Sequence, residues 1–105
     1  MTDPTVNRQA RPDRFEISVG GTIAGFAQYV DHDGRRVFFH TEIDAAFAGQ
    51  GLAGVVVRKA LDTTREDGLA IVPVCPYVKK FVGKNSDWSD IVAAPTPRDL
   101  AAIRA

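Results

Sequence analysis

The chain has 105 residues, 45% of them hydrophobic, enough for one compact core and too few for two. Thirteen Lys and Arg balance thirteen Asp and Glu, so no net charge draws the surface toward nucleic acid or an anionic membrane. One cysteine, Cys75, excludes an internal disulfide and a multi-cysteine metal site. No apolar run approaches the roughly 20 residues of a membrane span, and the N-terminus lacks a signal-peptide core, so a cytoplasmic protein is expected.

Residues Met1 to Asp13 carry Pro4 and Pro12 among polar side chains and offer little to bury. A loose leader is expected there, ahead of a single domain over residues 14–105. Phe15, Ile17 and Val19 alternate with Arg14, Glu16 and Ser18 as in a half-buried strand, and Gly20-Gly21 supplies a tight turn. Thr22 to Val30 continues as a second strand, in which Gly25 marks a bulge or a close backbone approach. Asp31-His32-Asp33-Gly34 forms a second turn, with His32 expected at the surface, and Val37 to Ile43 completes an antiparallel three-strand meander.

Asp44 to Ala48 leads into a glycine-rich turn containing Gly49, Gly51 and Gly54. From Leu52 the apolar spacing becomes helical: Leu52, Ala53, Val56, Val57, Ala60, Leu61 and Thr64 share one face, and Gly68 is placed to end the helix in the left-handed conformation. Leu69 to Val74 predicts a buried strand, although Pro73 weighs against its last residues. Cys75 then stands at the N-cap of a second helix, Tyr77 to about Gly83, with Pro76 in its first turn. Ser86 is placed to cap a short turn that carries Trp88 into the core, and Arg98 to Arg104 has the composition of a terminal helix that needs docking. The order β-β-β-α-β-α implies a mixed α/β domain, one sheet with helices packed against it.

A helix beginning at the glycine turn points unpaired N–H groups and the positive end of its dipole at whatever lies in front of it, which suits a phosphate. Glycine-rich turns also precede helices for steric reasons alone. The chain contains no GxxxxGKS/T and no GxGxxG after a first parallel strand, so neither a nucleotide-hydrolysing loop nor a dinucleotide fold is indicated. A phosphate held by backbone N–H groups suits a cofactor gripped by its pyrophosphate while it reacts elsewhere.

Three marks stand in fixed order: His40-Thr41-Glu42 ends the strand before the loop, Ala48-Gly49-Gln50-Gly51-Leu52-Ala53 forms the loop, and Cys75-Pro76-Tyr77 follows the next strand. In these marks the sequence resembles the GCN5-related N-acetyltransferases, most closely their small single-domain branch, over about Phe15 to Val92. The superfamily's loop reads Gln or Arg, two residues, Gly, one residue, then Gly or Ala; Gly51 and Ala53 match, while Ala48 replaces the first side chain.

The resemblance implies a mixed sheet in which an antiparallel meander is followed by helix, strand and helix. It also implies acetyl-CoA, with pyrophosphate over Gly49, Gln50, Gly51, Leu52, Ala53 and Gly54, and pantetheine between the strands Val37–Ile43 and Leu69–Val74. The backbone of Glu42 and Ile43 would pair with the pantetheine amides, and the thioester would lie near His40 and Cys75. Cys75 at a helix N-cap, with its sulfur among helix N–H groups, either takes the acetyl group transiently or lines the pocket while the amine attacks directly. His40 is the candidate base or proton carrier, and Tyr77 either covers the thioester or packs. Lys79, Lys80 and Lys84 form a solvated helix face or attract the cofactor's 3′-phosphate. The expected function is acetyl transfer from acetyl-CoA to an amine, small molecule or protein, without a metal, nucleic acid or membrane partner. Two alternatives stand: a non-catalytic acyl-CoA-binding or regulatory module, and an interaction domain with an empty loop.

Overall fold

The alternation read from Arg14 onward becomes one twisted sheet in the computed structural model, which describes residues 3–104. Strands β1 (Thr5–Gln9), β2 (Arg14–Val19), β3 (Thr22–His32), β4 (Arg35–Ile43) and β5 (Ala70–Pro73) lie side by side in chain order. All neighbours are antiparallel except β5, which runs parallel to β4.

The leader is the first departure from expectation. Thr5 to Gln9 pairs with Ser18 to Arg14 as an edge strand, and Met1 and Thr2 fall outside the described residues. Its side chains are mostly exposed, so no hydrophobic alternation announced it; the backbone ladder, indifferent to side chains, holds it in place. The β3–β4 hairpin also closes more tightly than expected. Asp33 (φ 49°) and Gly34 (φ 72°) form a two-residue turn with both residues left-handed, which extends the strands to His32 and Arg35.

Two irregularities aim the functional end of the sheet. The β2–β3 register shifts beside Gly25, where an added Cβ would sit 2.3 Å from the Glu42 carbonyl oxygen, so both a bulge and a close approach occur. A second shift, between Gln28 and Tyr29, leaves Phe39 without a partner and bends β4 at its midpoint.

Helix α1 (Leu52–Glu66) buries Leu52, Val56, Val57, Ala60, Leu61 and Thr64 against Phe15, Ile17, Ala27, Tyr29 and Phe38 on one sheet face. Gly68 (φ 72°) ends it as expected: the Gly68 N–H bonds the Arg65 carbonyl and the Leu69 N–H that of Thr64, a Schellman closure. Helices α2 (Pro76–Lys84) and α3 (Pro97–Arg104) follow, and none of the helices among the described residues is long and apolar enough to cross a membrane. Trp88 is buried, its indole N–H donating to Asp62 Oδ1 at 3.0 Å. The N-cap of its turn is Asn85 rather than Ser86, with no side-chain cap; the Asn85 amide donates back to the Phe81 carbonyl at the end of α2.

Pro73 proves compatible with its strand. The N–H groups of Ala70 and Val74 face β4, bonding Gly34 and Phe38, so alternation turns Ile71 and Pro73 to the outer edge. There Ile71 bridges the segment around Val92, and the missing N–H of Pro73 removes no bond to β4.

His32 is not the free surface residue expected. Adjacent side chains of β4 point to opposite faces: Arg36 reaches Asp67 at the end of α1, whereas Arg35 reaches Asp99 of α3. Asp99 is 0% exposed and accepts from Arg35 at 3.0 and 2.9 Å and from the Thr96 N–H at 2.8 Å, with His32 Nε2 at 2.6 Å. The Thr96 hydroxyl in turn accepts the Asp99 N–H, a reciprocal cap. An eight-residue helix is too short to persist alone, and this clasp docks it on the face opposite α1.

Candidate functional site

The site begins where two parallel strands stop pairing. β4 and β5 run together only from Arg35↔Ala70 to Phe38↔Pro73. The Phe38 carbonyl then accepts two N–H groups, Val74 at 3.0 Å and Cys75 at 2.8 Å, and the chain turns into α2. β4 continues through Ile43, and among the described residues no strand pairs with that outer side. The Asp44 N–H donates to the Ala24 carbonyl at 2.7 Å. Alternation therefore turns the backbone groups of Glu42 toward β3 and those of Thr41 and Ile43 into the opening. This differs from the pairing expected for Glu42.

Facing the same end of the sheet is the start of α1. Gly49 (φ 81°) and Gly51 (φ 72°) both occupy the left-handed region, which fits glycine at two of the three loop positions. Gly51 is the N-cap; no side chain caps the helix, and its first turn holds no acidic residue. The N–H groups of Leu52, Ala53 and Gly54 thus emerge at the positive end of a 15-residue helix, which is the donor set a pyrophosphate needs. Gly54 lies beneath Tyr77: an added Cβ would sit 3.6 Å from the Tyr77 hydroxyl oxygen and 3.9 Å from Phe81. Tyr77 is 39% exposed and stacks on Phe81 at 6.3 Å, so it borders the first turn of α1.

Cys75 and His40 are held apart by the sheet. Cys75 occupies the N-cap of α2, as its place before Pro76 suggested, but its side chain caps nothing. It is 4% exposed, and its sulfur lies 3.4 Å from Thr41 Oγ1 on the α1 side of the sheet. The expectation that helix N–H groups would surround the sulfur fails, because the Cys75 side chain turns into the core. His40 precedes Thr41 and points to the other face, where its ring packs 5.6 Å from Phe26 and Nε2 lies 3.6 Å from Glu42 Oε1. About half of its side chain is exposed. Thr41, the partner of Cys75, was in view as the middle of His40-Thr41-Glu42; only the bend at Phe39 identifies which face it takes.

Two hollows flank these elements. The larger, about 650 Å³, lies outside β5 between Pro73, Val82, Val92 and Leu100, and of the residues singled out in the sequence as candidates for the site it holds Lys79 alone. The smaller, about 390 Å³, starts at Gly51 and Gly54 and runs along α1 past Arg58 and Lys59. Geometry favours the smaller as part of the site, because it is continuous with the helix N-terminus.

Comparison with known proteins places this architecture. A family model described as GCN5-related N-acetyl-transferase matches residues 14–91. Curated relatives include Protein NATD1 of Bos taurus, 29% identical over 82 residues that cover 76% of this chain and 73% of that protein. Protein NATD1 of Mus musculus is 30% identical over 81 residues, covering 75% and 72%. Among solved structures, a GCN5-like protein from Staphylococcus aureus determined by NMR superposes with a TM-score of 0.68 at 18% identity, covering 92% of this chain and 95% of that one. Ribosomal-protein-alanine N-acetyltransferase from Brucella melitensis biovar Abortus superposes at 0.55 and 22% identity, over 80% of this chain and 63% of that one. At those identities the two structures show the fold alone, whereas the match over residues 14–91 spans most of the sequence: the chain belongs to the GCN5-related N-acetyltransferases.

Proposed function

We propose that this protein transfers an acetyl group from acetyl-CoA to an amine that approaches from the His40 face of the sheet. The observation that carries this is the parting of β4 and β5 at the Phe38 carbonyl, in line with the uncapped first turn of α1. The N–H groups of Leu52, Ala53 and Gly54 hold the pyrophosphate, and the backbone of Thr41 and Ile43 pairs with the pantetheine amides in the place of a missing strand. Ala48 adds no side chain to this grip.

In the reaction the amine nitrogen bonds to the thioester carbonyl carbon and the carbon–sulfur bond breaks. The amine gives up one proton, and the sulfur leaves as a thiolate that is finally protonated. His40, half-exposed beside Glu42, is the group placed to take the amine proton. Cys75 lines the opposite wall. Direct attack is preferred to a route through Cys75, because the thiol is 4% exposed and directed at Thr41. The Brucella neighbour's name puts a protein terminal amine among the acceptors to try.

The test uses the purified protein. CoA at millimolar concentration is expected to raise the melting temperature, and an amine panel including an alanyl peptide is expected to yield acetylated product. His40→Gln should lower turnover by about 10²-fold or more, while Cys75→Ala retains it within a few-fold. An acetyl mass increment on Cys75, lost together with turnover in Cys75→Ala, would establish the covalent route instead. The separation of His40 and Cys75 by the sheet supports a second reading, a CoA-binding module without catalysis. That reading predicts the thermal shift with no product from any amine.

A further inference from the structure

We infer that the hollow of about 650 Å³ outside β5 binds an aliphatic carboxylate, with its chain between α2 and α3 and its head at Lys79. This stands apart from the proposed donor site and does not depend on it. The hollow has the size of a small-molecule site. Four segments wall it: the end of β5 at Pro73, the α2 face carrying Lys79, Val82 and Gly83, residues 89–95, and Leu100 of α3. The α2 residues are three and four positions apart and so share one face of that helix. Lys80 and Lys84 take another face, beside Tyr77 and Phe81 at a separate hollow of about 90 Å³. The three lysines expected to act as one cluster are therefore divided, and Lys79 belongs to the larger hollow.

The chemistry of the walls selects the ligand. Pro73 and Pro95 have no N–H, and those of Val74, Lys79, Ala93 and Leu100 already bond the carbonyls of Phe38, Cys75, Ile71 and Thr96. The Ala94 carbonyl accepts Arg35 at 2.9 Å. Water there finds few partners, so an apolar body displaces it favourably. Among the described residues no aromatic ring lines the hollow, which suits a flexible aliphatic chain rather than a ring that needs a stacking surface. Leu100 stands at the rim 45% exposed, apolar surface that such a chain would cover. Gly83 points the same way. A Cβ added there would meet nothing within 4 Å, and its φ lies outside the left-handed region, so neither close packing nor conformation calls for glycine. In a helix it costs about 1 kcal/mol relative to Ala, and the absent side chain leaves this wall open. The head group follows from charge. Among the described residues Lys79 is the single charged side chain lining the hollow, is exposed and makes no ion pair. Ser89 adds a hydroxyl donor. One ammonium and one hydroxyl match the single charge and two oxygens of a carboxylate.

Calorimetric titration of the full chain with decanoate and with decanol, each below the concentration at which it self-associates, tests this. Decanoate is expected to bind one per chain, and decanol about fivefold more weakly, the scale of an ion pair at an open rim. Lys79→Gln should bring decanoate down to the level of decanol and leave decanol unchanged. Gly83→Phe, which places a ring where there is open space, should abolish binding of both while the melting temperature holds. Lys79 is exposed, so its variant keeps the test intact even if Gly83→Phe unfolds the chain. Failure of decanoate to bind, or binding without a defined stoichiometry, overturns the inference. Equal affinity for the two ligands in the wild type overturns the assignment of a carboxylate, and undiminished binding in a folded Gly83→Phe overturns the assignment of the hollow. Displacement of decanoate by decanoyl-CoA but not by CoA, with decanoyl-CoA binding insensitive to Lys79→Gln, overturns the free acid in favour of a long acyl chain on the donor. None of these outcomes bears on whether CoA itself binds, so the proposed function stands or falls separately.

Discussion

The two ends of α1 are built on opposite plans. At the C-terminal end the Schellman closure occupies the last carbonyls, and Asp67 receives Arg8 from β1 and Arg36 from β4. Arg36 is 3% exposed and also forks onto both oxygens of Asp31, so three strands meet that end through one guanidinium and its acids. At the N-terminal end nothing caps the helix, no acid complements its dipole, and two left-handed glycines hold the loop open. One end ties the fold together and the other leaves donors free for an anion. The contrast teaches that the missing cap is a local property of the candidate site, because at the other end of the same helix the carbonyls of Thr63, Thr64 and Arg65 all accept backbone N–H groups.

The largest effect on this contrast should come from the closed end. Arg36→Met is expected to lower unfolding free energy by roughly 2 kcal/mol, the scale of lost hydrogen bonds to charged groups, while the folded fraction binds CoA normally. Denaturant midpoints and calorimetry check this; a loss of CoA affinity at unchanged folding would mean that the two ends are not independent. The same end makes stability acid-sensitive. The Arg8 hydrogen bond, and against the opposing effect of burial that of Arg36, hold the Asp67 carboxyl below its usual range. On the other face Arg35 does the same, more strongly, for Asp99. A depressed carboxylate contributes stability that is present above its unfolded value, near 4, and is lost as pH falls through its folded value. Unfolding free energy should therefore fall as pH drops below about 4, and Asp99→Asn should flatten part of that decline.

A matched pair of substitutions probes the two ends directly. Gly51 and Gly68 share φ 72°, and an added Cβ meets nothing within 4 Å at either. Gly51→Ala and Gly68→Ala should each cost about 1 kcal/mol from left-handed strain alone, yet only Gly51→Ala should weaken CoA. Equal ligand effects at both positions would erase the distinction. The smallest change is Gly54→Ala, whose Cβ would make ordinary contacts with Tyr77 and Phe81. It should stabilise the helix by about 0.5–1 kcal/mol; a simultaneous fall in CoA affinity would show that this glycine keeps the groove clear rather than packing helices.

Much of this was legible in the residues. Alternation at Phe15, Ile17 and Val19, the helical face from Leu52 to Thr64, and the C-terminal glycine at 68 each depend on neighbours within a turn or two, so local pattern reports them. The His40-Thr41-Glu42, glycine-loop and Cys75-Pro76-Tyr77 marks pointed to the strands that part only through the family they resemble, not through local pattern. β1 escaped notice because an exposed edge strand is held by backbone bonds that leave no hydrophobic signature. His32 looked superficial because its partner, Asp99, lies 67 residues away.

What the sequence by itself determined is therefore the elements from β2 onward, their order, and a helix following a glycine loop. Tertiary structure decided which donors face the opening and which side chains share a face. A period-two strand assigns neighbouring side chains to opposite faces, but one unpaired residue, Phe39, resets that count for everything after it. That reset places Thr41 against Cys75 and His40 beside Phe26, a division no spacing along the chain could supply.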